Sequence, residues 1–130
     1  MTELGRTTRC YVSGYNRTRV HATRMFLGES RQLVADFNGA IPKGSLIVSA
    51  TWKLEVGGVV SISNAEIATD QRSTSVQCAT IFQGCIAMRC IATLDDGGTL
   101  TQQFGIAVPS APYYGDPVGA QGALELTVSA

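Results

Sequence analysis

The chain has 130 residues, ten Lys and Arg against ten Asp and Glu, and a charged fraction of only 15%. That length suits one domain able to bury a core without metals or disulfides. A neutral, sparsely charged surface excludes strong attraction to polyanions and fits a protein that packs against other proteins.

In chain order, residues 1–18 read as an extended N-terminal arm, with Gly5 and Gly14 breaking any period and Tyr11, Val12 and Tyr15 free to make contacts. Arginines gather early, at Arg6, Arg9, Arg17, Arg19, Arg24 and Arg31, opposed there only by Glu3 and Glu29. They are scattered singly without a nucleic-acid-binding module, so docking on an acidic protein surface is the expectation and nucleic acid is not. Arg19–Leu27 and Gln32–Phe37 read as strands around Gly28-Glu29-Ser30, the second with Leu33, Ala35 and Phe37 alternating with Val34 and Asp36.

The clearest strand follows the Pro42–Gly44 loop. Leu46, Val48, Ala50, Trp52, Leu54 and Val56 fall on one face, and Ser49, Thr51, Lys53 and Glu55 on the other. Gly57-Gly58 predicts a tight hairpin into Val59–Ser63, and the polar 64–73 stretch predicts a crossing between sheets. Thr74–Phe82 resumes the alternation with Val76, Cys78 and Phe82. Ile86, Met88, Cys90, Ala92 and Leu94 share the next face; Asp95-Asp96-Gly97-Gly98 closes a hairpin, and Leu100, Phe104, Ile106 and Val108 repeat the pattern. A proline-bearing loop with Tyr113 and Tyr114 then leads to Leu124, Leu126 and Val128.

No helical period of useful length appears, and strands with turn signals every ~8–12 residues define an all-β, antiparallel β-sandwich of about 7–9 strands, immunoglobulin-like or jelly-roll-like. The expected organisation is the arm (1–18), the sandwich (19–108), and a loop with a C-terminal strand (109–130) belonging to the same domain or to a neighbouring subunit.

Residues that carry chemistry are few. His21 is the single histidine, with no nucleophile signature near it, and reads as a surface or interface residue. Asp95 and Asp96 are what a tight turn requires, and Trp52 falls on an apolar face, as a core residue does. The four cysteines (Cys10, Cys78, Cys85, Cys90) read as free thiols, since no export signal precedes them. Cys85 and Cys90 point to opposite faces of one strand and cannot share a metal. No catalytic, cofactor or metal site is expected, and no apolar run is long enough to span a membrane. Candidate interface residues are Arg6, Arg9, Tyr11, Tyr15, Tyr113 and Tyr114, because tyrosine and arginine are enriched where proteins meet.

The run from Ala50 to Val108 resembles immunoglobulin-like domains on virion proteins of tailed bacteriophages. The resemblance is carried by Trp52, the Gly57-Gly58 pair, Gly84 before a core strand, the Asp-Gly hairpin and the closing Ile106-Ala107-Val108. It implies a non-enzymatic structural virion protein, made in the host cytoplasm without a signal peptide, that decorates or cements the capsid. Its implied partners are the major capsid protein or other virion proteins and further copies of itself, with a trimer favoured. The alternative it leaves is a tail or fibre domain that binds host surface glycans through exposed tyrosines.

Overall fold

The computed structural model describes residues 6–13, 20–55, 57–109 and 124–130, and these form nine strands and no helix. They are β1 (Arg6–Ser13), β2 (Val20–Arg24), β3 (Ser30–Gly39), β4 (Ile47–Leu54), β5 (Val60–Ile67), β6 (Ser73–Thr80), β7 (Gly84–Leu94), β8 (Thr99–Val108) and β9 (Glu125–Ser129). Two sheets result, one in the order β1-β3-β6-β5 and the other in the order β2-β8-β7-β4-β9. The all-β sandwich read from the alternation is the fold.

Most neighbouring strands are antiparallel, but β1 runs parallel to β3 and β2 parallel to β8. The connectivity explains this departure. The chain leaves the four-stranded sheet after β1, runs through β2 at the edge of the other, and returns at β3. No hairpin therefore joins β1 to β3 or β2 to β8, and neither pair is obliged to be antiparallel.

The stretch expected as an arm therefore supplies an edge strand. Cys10 and Val12 are buried while Arg9 and Tyr11 on the alternate positions are exposed, the period-two signature of a half-buried strand. At the other end, β9 pairs with β4 of its own chain from Ser49↔Ser129 to Lys53↔Glu125, which places the C-terminal strand in the same domain.

Three local expectations are corrected. Gly57-Gly58 does not close a hairpin: β4 and β5 lie in different sheets, so the pair, with Gly58 at φ 100°, turns the chain across the sandwich. The 64–73 stretch instead belongs to the β5–β6 hairpin within the four-stranded sheet. Third, a register shift between Ile47 and Ser49 breaks the alternation at the start of β4. Such an irregularity flips side chains between faces. Ile47 is thus fully buried and Val48 faces out, the reverse of the continuous pattern.

Alternation holds without interruption in β7 and β8. Ile86, Met88, Cys90, Ala92 and Leu94 on β7, and Leu100, Phe104, Ile106 and Val108 on β8, are all buried, and their hairpin turns at Asp95–Gly98. Phe82 lies past the end of β6, where the chain crosses back, and is exposed. The centre of the core is Trp52, in tilted contact with Phe104 at 5.5 Å between ring centroids. Its indole N–H donates to Thr74 Oγ1 across the two sheets at 3.2 Å, and the Thr74 hydroxyl in turn donates to the Glu66 carbonyl at 2.7 Å. A buried N–H that large needs a partner, and this relay satisfies it.

Candidate functional site

On the outer face of the four-stranded sheet, β1 presents Arg9 and Tyr11 two residues apart. The Arg9 guanidinium makes a 2.7 Å ion pair with Asp36 on β3 and lies 5.9 Å over the Tyr11 ring, which is 76% exposed. The structure thus brings together two of the candidate interface residues and adds an acidic partner. Arg6 contributes backbone pairing with Arg31. Tyr15, Tyr113 and Tyr114 lie outside the described residues.

Arg31, counted among the outward-reaching arginines, turns between the sheets. Its guanidinium pairs with Glu29 at 2.6 Å, both side chains being close to nine-tenths buried. It also donates to Thr8 Oγ1 on β1 (3.1 Å) and Thr23 Oγ1 on β2 (3.0 Å). A single side chain thereby rivets an edge strand of one sheet to an edge strand of the other. Arg72 is likewise internal: it donates to the Asn38 side chain and to the carbonyls of Ser45 (3.1 Å) and Ile41 (3.4 Å), holding the loop before β4. Arg9 and Arg31 are thus engaged within the fold. The partners Asp36, Thr8 and Thr23 left no mark in the sequence, because each lies many residues from its arginine and only strand register reveals the contact.

The residues weighed for catalysis are structural. His21 is half-buried and edge-on to Phe104 at 5.6 Å. Asp96 accepts the Gly98 N–H at 2.8 Å and Asp95 the Leu46 N–H at 3.3 Å, so both carboxylates stabilise the hairpin and its neighbour. Burial pushes the Cys78 thiol up to about 12, with Arg31 acting weakly the other way, and raises Cys90 and Cys10 as well. Protonated thiols are poor nucleophiles and poor metal ligands. Among the described residues, no three His, Cys, Asp or Glu side chains are grouped to hold a metal ion.

The outer face of the five-stranded sheet carries one strand more than that of the other sheet, and strand register orders it in rows. Ser129, Ser49, Thr93 and Thr99 form the first, and Thr127, Thr51, Ile91 and Thr101 the second. The third is charged: Glu125, Lys53, Arg89, Gln103 and then Val20. The fourth, Glu55, Ala87, Gly105 and Ala22, is built of small side chains apart from its end residue, and Cys85, Ala107 and Arg24 complete the fifth. Long side chains beside short ones leave two adjoining hollows of about 360 and 460 Å³ that share Glu55 and Ala87. Lys53 and Arg89 are direct register partners of like charge, an arrangement that costs stability. Neither they nor Glu55 nor Glu125 forms an ion pair among the described residues.

The fold defines a class, the small two-sheet β-sandwich. No protein-family model matches the sequence, and no curated protein matches it. Among solved structures the chain is similar to PbICP-C in complex with falcipain-2, with a TM-score of 0.53 and 10% identity over 80% of this chain and 99% of that one. It also resembles the cysteine protease inhibitor EhICP2 from Entamoeba histolytica (TM-score 0.46, 9% identity, 78% and 96% covered) and Amebosin (0.42, 9%, 79% and 97%). At such identity the likeness is one of fold, and fold hosts many functions. None of the three is a phage protein, so the particle role expected from the sequence rests on the resemblance of residues 50–108.

Proposed function

We propose that the chain is a non-enzymatic structural protein of a phage particle, decorating or cementing the capsid by protein–protein contacts. The observation that carries this reading is the outer face of the five-stranded sheet. It is broad, lined with small, hydroxyl-bearing and oppositely charged side chains, and suited to close contact with another protein surface rather than to enclosing a substrate. Many weak contacts of this kind, repeated by the symmetry of a lattice, add to firm attachment. Co-sedimentation with expanded phage capsids lacking the protein tests it: saturable pelleting and a raised capsid melting temperature are expected, and a chain left wholly in the supernatant sinks the idea.

Two other readings have a specific observation each. Tyr11, exposed beside Arg9, offers a platform for a host-surface glycan, and a glycan array on which Tyr11→Ala abolishes a hit favours that role. The fold shared with PbICP-C, a chain solved with falcipain-2, raises protease binding. Titration of falcipain-2 with the purified chain decides it, inhibition being the supporting result.

A further inference from the structure

We infer that the outer face of the five-stranded sheet is a self-association surface that closes a two-fold dimer. The argument begins with the unrelieved charge on this face. Lys53 and Arg89 stand side by side; Glu125, the register partner of Lys53 on its other side, and Glu55 two residues on make no ion pair with either, so Arg89 in particular has no acidic neighbour in its row. A cost of that kind is removed when an acidic group arrives from outside.

The rows show which partner brings it in register. A two-fold axis running across the strands, between the Lys53–Arg89–Gln103 row and the Glu55–Ala87–Gly105 row, lays each row on the other row of the second copy. Lys53 then stands over Glu55 of the second copy, Arg89 over its Ala87, Gln103 over its Gly105 and Val20 over its Ala22. Long side chains enter the hollows left by short ones, and they do so on both sides of the axis. The next rows follow suit: Ile91 covers Cys85 of the second copy, and Thr101 covers its Ala107.

Charge and area agree with this occupant. Lys53, Arg89 and Arg24 face Glu55 and Glu125, a near balance that lets the surface meet a copy of itself without repulsion, whereas a polyanion would need one sign throughout. The sixteen positions in the four overlapping rows, each ~4.8 by ~6.7 Å, give about 500 Å² per copy. The total of about 1,000 Å² is only at the threshold for a specific interface, so the dimer is reversible and visible only at raised concentration. The dimer occupies the same face as the proposed capsid contact, so the two compete for it, and the test on the purified chain stands or falls without any capsid present. It also departs from the trimer that the sequence resemblance favours, because a self-complementary face closes at two.

Sedimentation equilibrium of the purified chain from micromolar to near-millimolar concentration tests it, with circular dichroism to confirm folding. A monomer–dimer equilibrium is expected. Ala87→Arg, which fills the hollow, and Lys53→Glu, which sets like charges face to face, each weaken it at least about tenfold. The Lys53→Glu/Glu55→Lys double variant restores association to within about threefold of the parent. Independently, the exposed Cys85 thiol reacts more slowly with a maleimide as concentration rises, and Ala87→Arg abolishes that protection. A monomer throughout the range, a trimer, or a dimer indifferent to Ala87→Arg overturns the inference.

Discussion

The two long sides of the sandwich are closed by different physics. On one side β5 and β9 adjoin, and Leu126, Ala65 and Ile67 pack against the core, so that apolar contact seals the gap. On the other, β1 and β2 are joined by the Arg31–Glu29 pair and the hydroxyls of Thr8 and Thr23. An apolar seal tolerates small shifts, whereas a hydrogen-bonded ion set fixes strand position and penalises the loss of any one member. The side joined by polar groups is also the one where both strands run parallel to their neighbours.

The contrast can be broken at several points. The largest loss is expected midway between the sides, where Trp52→Ala removes the central side chain and costs about 3–5 kcal/mol in urea denaturation. Nearly as large is Arg31→Ala, at about 3 kcal/mol, because Glu29, Thr8 and Thr23 together lose one largely buried donor. The Arg31→Met/Glu29→Leu double variant should recover only part of that loss, because Thr8, Thr23 and the Phe26 N–H still lose a partner, and full recovery would contradict the rivet. Thr74→Val leaves the Trp52 N–H without its acceptor and is expected to cost about 1–3 kcal/mol at unchanged volume, read as a lowered urea midpoint at constant m-value.

Alkaline pH offers a subtler probe of the same interior. The Cys78 thiol holds its proton more tightly folded than unfolded, since an unfolded thiol titrates near ~8.5. Its contribution is fully present below that value and is lost as pH rises through the window up to about 12. Stability curves of the parent and Cys78→Ala should accordingly converge as pH climbs; parallel curves would show that the thiol is not desolvated. The smallest effect belongs to the outer face of the four-stranded sheet. Arg9→Ala breaks a partly exposed pair with Asp36 and should cost no more than ~1 kcal/mol, less in high salt.

Legibility in the sequence follows the same division. Alternation alone located the core of β6 to β8, the burial of Trp52 and the hairpin at Asp95–Gly98, because each depends on neighbours within a few residues. The shift at Ile47–Ser49 and the layer change at Gly57-Gly58 escaped it, since a glycine pair serves a hairpin or a crossing equally well and periodicity does not name the sheet. The first strand was available: Cys10 and Val12 alternate with Arg9 and Tyr11, a signal hidden by the polar residues around it. Of the candidate interface residues, Arg9 and Tyr11 lie together on β1, whereas the rows on the five-stranded sheet required registers that join residues far apart in the chain.

One pairing also bears on how the protein is made. About 70 residues separate Lys53 from its β9 partner Glu125, and ribosomes add roughly 5–20 residues each second. The outer edge of β4 consequently waits several seconds for its strand, long after the β7 side can form. During that interval an unpaired row of amides and carbonyls is open to any extended segment nearby. In a cell making many copies at once, the late arrival of β9 is what ends each chain's exposure to its neighbours.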